Sequence, residues 1–235
     1  MHKRIKEDPS CYASQAQQSL LGKMSEINLI SENFFATGGT TLSVFYLHHR
    51  LSEDLDFFSV EFHNLGGVDS ALKRVFGKDL SLVQSSPEFY SYLINGIKVD
   101  IVFDPLSTHE KRVQVTLTKG KRIYVDTLDN IASNKLSAIA SRTEPKDLID
   151  FYFIGQLIWK EAKEKKFGNC YDLAKRKEVL FDDPPTAAYQ IEELLDRVLK
   201  GKEKTLPPIK KHIEWELFEK DIRFYVDTIY RMELW

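Results

Sequence analysis

Residues Gly38–Phe58 read GGTTLSVFYLHHRLSEDLDFF, and the order of signals within this stretch decides the fold. Ahead of it, Phe34, Phe35 and Ala36 form a short apolar run that stops at two glycines, the pattern of a buried strand ending in a tight turn. Beyond the glycines, Leu42, Phe45, Tyr46 and His49 recur at helical spacing and predict a helix over residues 40–49. A helix N-terminus presents unpaired N–H groups and a partial positive charge, and glycine lets a ligand come close to the backbone. Gly38, Gly39 and Thr40, the last adding a hydroxyl, are therefore candidate phosphate ligands. A lone Gly-Gly is by itself only a turn.

In Asp54-Leu55-Asp56-Phe57-Phe58, strand geometry puts Asp54 and Asp56 on one face and Leu55 and Phe57 on the other. Two such carboxylates repel unless a cation lies between them, and oxygen-only ligands favour Mg²⁺ or Mn²⁺. An acidic doublet in a strand is otherwise a solvated edge. Thirteen residues separate Thr40 from Asp54. The series strand, Gly-Gly-Thr, helix, strand with Asp-x-Asp says more than either piece alone.

The 235-residue chain, 43% hydrophobic and 12% aromatic, suits one or two domains with a substantial core. Net charge is -2 and pI about 6.3, so no global basic field announces a nucleic-acid partner. Cys11 and Cys170 lie far apart without CxxC or Cys/His spacing, which suggests neither a disulfide framework nor a zinc site. No apolar stretch approaches the length of a membrane span. The expectation is a cytoplasmic, soluble protein.

Residues 14–31 carry Leu20, Leu21, Met24, Ile27 and Ile30 at helical spacing and predict one structural helix, and residues 68–76 a second. Residues 80–83, 89–94 and 97–103 read as strands, with Asn95-Gly96 as a hairpin turn between the last two. Along the last strand Lys98 and Asp100 share a face. Asp100 is the candidate third carboxylate of a two-metal transfer; the alternative is a surface pair with Lys98 of little worth. Asp104 has the same parity and is the rival acid, although Pro105 marks the strand's end. Tyr124 to Asp126 form one more short strand, and from residue 127 the pattern is helical to the end, placing a boundary between residues 1–126 and 127–235. Lys135 and Arg142 share a helix face; Thr143 is a plausible N-cap ahead of Pro145, Lys146, Asp147 and Asp150.

GGTTL, HHRLSEDLDFF, IKVDIV and NKLSAIASRTEPKDLIDFYFI resemble, in order and spacing, the four motif blocks of the AbiEii/AbiGii toxin branch of the polymerase-β-like nucleotidyltransferase superfamily. The resemblance covers roughly residues 30 to 160. It implies an α/β (α+β) nucleotidyltransferase fold, a mixed sheet with flanking helices, followed by a helical C-terminal domain that completes the nucleotide site. It also implies that Gly38, Gly39 and Thr40 form the triphosphate turn, that Asp54, Asp56 and Asp100 bind metal and catalyse, and that Lys98, Lys135, Arg142, Lys146, Asp147 and Asp150 face the nucleotide. Thr41 stands where a small apolar residue is usual and Phe151 where Leu is common, and neither removes a ligand.

The activity implied by this resemblance is a metal-dependent transfer of a nucleoside monophosphate from an NTP to an acceptor hydroxyl. The resemblance suggests RNA, at the 3′ end of tRNA, as acceptor and a separately encoded antitoxin as partner. A small-molecule transferase of the aminoglycoside-modifying kind, a protein-modifying transferase and a non-catalytic nucleotide-binding module stay open. A glycosyltransferase ranks low, because only about fifty residues precede its Asp-x-Asp and the Gly-Gly-Thr turn is left unexplained. Residues 160–178 hold seven Lys/Arg against four acids, and residues 200–211 five against one. With Phe167, Tyr171 and Leu206 interleaved, these runs are either an RNA-backbone surface or solvated helix faces. The Pro184-Pro185 and Pro207-Pro208 pairs separate helices expected near 171–181, 186–199 and 212–232.

Overall fold

The computed structural model describes residues 5–201 and 206–232, which divide into two compact units, Met1–Thr127 and Leu128–Trp235. The first unit is a mixed sheet with flanking helices. In chain order it runs α1 (Gln15–Met24), α2 (Asn28–Asn33), β1 (Phe35–Thr37), α3 (Gly38–Thr41), β2 (Leu55–Ser59), α4 (Leu65–Phe76), β3 (Leu80–Ser85), β4 (Phe89–Ile94), β5 (Ile97–Phe103), β6 (Val113–Thr116) and β7 (Arg122–Val125). The seven strands lie in the order β3-β4-β5-β2-β1-β7-β6. β2 runs antiparallel to β1 and parallel to β5, and β4 closes onto β5 as an antiparallel hairpin. Asn95 and Gly96 both have positive φ, 51° and 78°, the backbone that a two-residue hairpin turn needs.

Alternation along β2 buries Leu55 and Phe57. They join Val99 and Ile101 of β5 and Leu65, Val68 and Leu72 of α4 in one core. The even positions of β2, Asp56 among them, face the other way. Three elements differ from the sequence expectation. The single helix over 14–31 is two, because Ser25 caps α1, its hydroxyl donating to the Gly22 carbonyl, and Ile27 is extended. The helix expected from Thr40 begins at Gly38. α3 runs into a π-helical segment, Leu42–Leu47, that ends at His48 in a left-handed conformation. The wider turn buries Leu42, Ser43, Val44, Phe45 and Leu47 together, more than one α-helical stripe can. β6, only four residues long with Val115 alone buried, escaped the pattern reading altogether.

The second unit is helical: α5 (Leu128–Arg142), α6 (Pro145–Ile158), α7 (Lys163–Lys175), α8 (Pro184–Gly201) and α9 (Trp215–Met232). Its core is aromatic. Phe167 stacks on Tyr225 at 4.7 Å, and Phe151 meets Trp159 and Tyr225 edge-on at 5.1 and 5.4 Å. Gly155 is required there, because a Cβ would collide with the Tyr225 hydroxyl. Glu144, not Thr143, takes the N-cap place of α6, since Thr143 has positive φ and belongs to the turn. The helix expected near 171–181 lies earlier, at 163–175. Among the described residues no helix is long and apolar enough to cross a membrane.

Candidate active site

Strand register brings the first candidates together. Thr37, the last residue of β1, lies opposite Asp56, and Asp56 in turn pairs with Asp100 on parallel β5. Gly38 therefore follows directly onto the Asp56 carboxylate. Its φ is +71°, and a Cβ on it would overlap Asp56 Oδ2. Only glycine combines that backbone with that proximity. Gly39 is confined differently, because a Cβ there would come within 2.6 Å of Arg50 Nη2 and 2.7 Å of Ser52 Oγ.

Asp100 is buried, with Oδ1 accepting from the Ser91 hydroxyl at 2.6 Å and Oδ2 from the Lys98 ammonium at 2.7 Å. Burial works to lower the Lys98 pKa, but the hydrogen bond and charge of Asp100, joined by the charges of Asp54 and Asp56, hold it above the ordinary lysine value. All three predicted carboxylates thus act on one ammonium. Asp54 stands one residue before β2 begins. Asp104, the rival acid, caps the turn after β5 through Leu106 N–H, Ser107 N–H and the Ser107 hydroxyl.

Thr40 is buried and points inward: its hydroxyl donates to the Asp54 carbonyl at 2.5 Å. The side chain thereby ties the glycine turn to the approach of β2, and the part of Thr40 left to a phosphate is its backbone N–H. Two residues to which the sequence reading gave no role complete this tie. Gln17 of α1, 1% exposed, donates its amide to Ser52 O at 2.9 Å, Thr40 Oγ1 at 3.2 Å and, at 3.4 Å, Asp54 O, and its own oxygen accepts from Ala13 N–H at 2.9 Å. Arg50, 2% exposed, donates to Leu51 O at 2.7 Å and lies against Gly39. A glutamine on an otherwise apolar helix stripe was the one available signal for Gln17. Arg50 carried none, because a basic residue beside His48 and His49 reads as surface.

The helical unit gathers the remaining candidates. Lys135 Nζ contacts Asp147 Oδ1 at 2.7 Å and Asp150 Oδ2 at 2.6 Å, with all three side chains buried. Arg142 grips Asp147 bidentately at 2.7 and 2.9 Å while half exposed. Burial pushes the Asp147 pKa up, yet Lys135 and Arg142 together hold it below the ordinary carboxylate value. Lys146 stays outside this network and pairs with Glu144 at 2.8 Å, both partly exposed.

Of the residues considered for RNA contact, Phe167 and Tyr171 are core side chains and offer no stacking platform. Lys163 is bound to Asp221, and Lys177 to Asn130 and Asn134. Residues 202–205 of the 200–211 run lie outside the described residues.

The family profile described as nucleotidyl transferase AbiEii toxin, type IV TA system, matches residues 27–229. An uncharacterised protein of Aquifex aeolicus is 27% identical over 205 residues, 78% of this chain and 94% of the relative. The crystal structure of JHP933 from Helicobacter pylori aligns over 93% of this chain and 94% of that one, with a TM-score of 0.53 and 21% identity; that likeness speaks to fold.

Proposed function

We propose, since the chain belongs to the AbiEii nucleotidyl transferase toxin family and is an NTP-using nucleotidyltransferase, that it transfers a nucleoside monophosphate to a 3′-hydroxyl of RNA, tRNA foremost. In this reading it is the toxin of a pair whose separately encoded antitoxin restrains it. The observation that carries the chemistry is the register of Asp56 with Asp100 beside Gly38, with the Lys98 ammonium bound to Asp100 at 2.7 Å.

That ammonium is a cation bound to Asp100, the register partner of Asp56, so the site accepts positive charge, and its oxygen-only character fits Mg²⁺ or Mn²⁺. Asp54, Asp56 and Asp100 would hold the ions. Bound there, divalent cations supply neutralisation of the charge that develops in an in-line displacement at phosphorus. The N–H groups of Gly38, Gly39 and Thr40, at the start of a continuous helical segment, cradle triphosphate oxygens. Asp100 accepts the proton of the attacking hydroxyl while the new phosphoester forms at the α-phosphorus and its bond to the pyrophosphate oxygen breaks. Lys98, released from Asp100, turns to a phosphate oxygen. Arg142 and Lys146 are the block's solvent-reaching cations, and the family resemblance alone implies that they face the nucleotide. Lys135, Asp147 and Asp150 hold α5 to α6 and so set the presentation of those two cations.

The test incubates the protein and its Asp54→Asn, Asp56→Asn double variant with each α-phosphate-labelled NTP, Mg²⁺ or Mn²⁺, and total RNA. Label in RNA with the wild type alone is the expected result. Label in a small product or in a polypeptide would replace RNA by those acceptors, and label with the double variant would remove these acids from the mechanism.

A further inference from the structure

A second cluster of ligand atoms lies at the other end of the helical segment that starts at Gly38. Asp8, Cys11 and His48 bring a carboxylate oxygen, a thiol sulfur and an imidazole nitrogen within 4.8 Å of one another. His48 Nδ1 is 3.8 Å from Asp8 Oδ2 and 3.9 Å from Cys11 Sγ. Metal bonds of about 2.0 to 2.3 Å in tetrahedral array put such ligand atoms roughly 3.3 to 3.6 Å apart, so the two His48 distances close by a few tenths of an ångström and the Asp8–Cys11 pair, within 4.8 Å, by at most about 1.3 Å.

The ligands are placed by their neighbours. Asp8 N–H donates to Val44 O at 2.9 Å. Its Oδ1 accepts from Ser10 N–H and the Ser10 hydroxyl at 3.0 and 2.7 Å, which turns Oδ2 toward the imidazole. The preceding residue, buried Glu7, accepts from the Tyr12 hydroxyl at 2.8 Å, from Gln18 at 3.1 Å and from the Thr118 hydroxyl at 2.6 Å, fixing the arm from the other side. Outer partners of this kind orient ligands and raise metal affinity. Cys11 is fully buried, while the Asp8 and His48 side chains are each 37% exposed, so an ion enters from solvent onto sulfur at the floor.

We propose that Asp8, Cys11 and His48 form a binding site for a borderline-soft divalent cation of the Zn²⁺ class, separate in place and chemistry from the oxygen-only acid site. Thiolate and imidazole select against Mg²⁺ and for Zn²⁺ or Co²⁺. In the metal-free protein Nδ1 faces Ser43 O at 3.1 Å and carries the imidazole proton. On loading, that proton passes to Nε2, the thiol proton leaves to solvent, and one proton is released per ion. The ion pins the arm at residues 8–11 to His48, from which the chain runs through Arg50 and Ser52 to Asp54. Ligands 37 positions apart in sequence leave no spacing motif, which is why the sequence suggested no zinc site.

The experiment titrates Co²⁺ into the full, chelator-treated chain in excess Mg²⁺ and follows the thiolate-to-cobalt charge-transfer band and the ligand-field bands of tetrahedral cobalt. The expected result is one equivalent bound, displaced by Zn²⁺, unchanged in the Asp54→Asn, Asp56→Asn variant and in Cys170→Ser, and lost in Cys11→Ser. His48→Gly is the decisive variant, because φ of 53° at that position suits glycine and the fold is kept. It should weaken binding by about 100-fold or more and abolish the rise in unfolding temperature that Zn²⁺ gives the wild type. No charge-transfer band at saturating Co²⁺, or a band that survives His48→Gly, would overturn the site.

Discussion

Gln17→Leu tests whether the glycine turn and the approach to Asp54 are held as one piece. Leucine keeps the volume but removes the donor to Ser52 O at 2.9 Å, the donor to Thr40 Oγ1 at 3.2 Å and the acceptor of Ala13 N–H at 2.9 Å. Thr40 keeps its bond to Asp54 O at 2.5 Å, and its 3.3 Å contact with Ser52 O is a poor replacement. What is left is one poorly paired inner carbonyl and one N–H that water can reach. At about 1 to 3 kcal/mol for the first and about 0.5 to 1 for the second, the loss is about 1.5 to 4 kcal/mol. All three tryptophans, Trp159, Trp215 and Trp235, lie in the helical half, so urea unfolding of the first unit is read by far-ultraviolet circular dichroism. If about half of the loss appears as misplacement of Asp54, the Mg²⁺ concentration for half-maximal labelling rises about tenfold. Gln17→Glu sharpens the test: its carboxylate keeps the Ala13 contact but faces carbonyl oxygens, and protonation restores one donor, so activity should recover as pH falls. A Gln17→Leu protein within about 0.5 kcal/mol of wild type and with unchanged Mg²⁺ dependence would refute the reasoning.

Gly38→Ala should remove NTP-dependent labelling while leaving the helical unit's tryptophan unfolding curve in place, because a methyl at φ +71° overlaps Asp56. Lys98→Met should tighten Mg²⁺ binding severalfold in isothermal titration yet weaken NTP binding, since the ammonium on Asp100 competes with the ion and serves the phosphate; equal weakening of both would contradict the cation exchange. The Asp147 pKa is lower in the folded than in the unfolded state, so its stabilisation is present at neutral pH and is lost as pH falls below about 4 and through the folded value. Asp147→Asn should flatten that acid limb of the tryptophan-monitored stability curve and cost about 1 to 3 kcal/mol at pH 7, because Lys135 and Arg142 lose a charged partner while Lys135 keeps Asp150.

The elements that announced themselves in the sequence did so through local physics. A pair of glycines between an apolar run and a helical period marks a turn wherever it occurs. Asn95-Gly96 makes a hairpin because both positions tolerate positive φ. Asp56 and Asp100 were legible as acids on strand faces, and the helical block from Lys135 to Asp150 as charged groups along one helix and at the start of the next. Where such local signals competed with packing, packing prevailed: the helix after the glycines widened to bury Leu42 through Leu47, and the Thr40 hydroxyl turned inward to Asp54.

Local patterning was enough for the strand–turn–helix–strand order, the acids available and the helical character beyond residue 127. Packing of distant segments was needed to set Asp56 in register with Asp100, to bring Gln17 of the first helix between Thr40 and Ser52, and to lay Cys11 beside His48. The physical reason is that periodicity reports which face a side chain takes within its own element. Which elements become neighbours is set by burial of the whole apolar surface, and partners tens of residues apart leave no local trace of meeting.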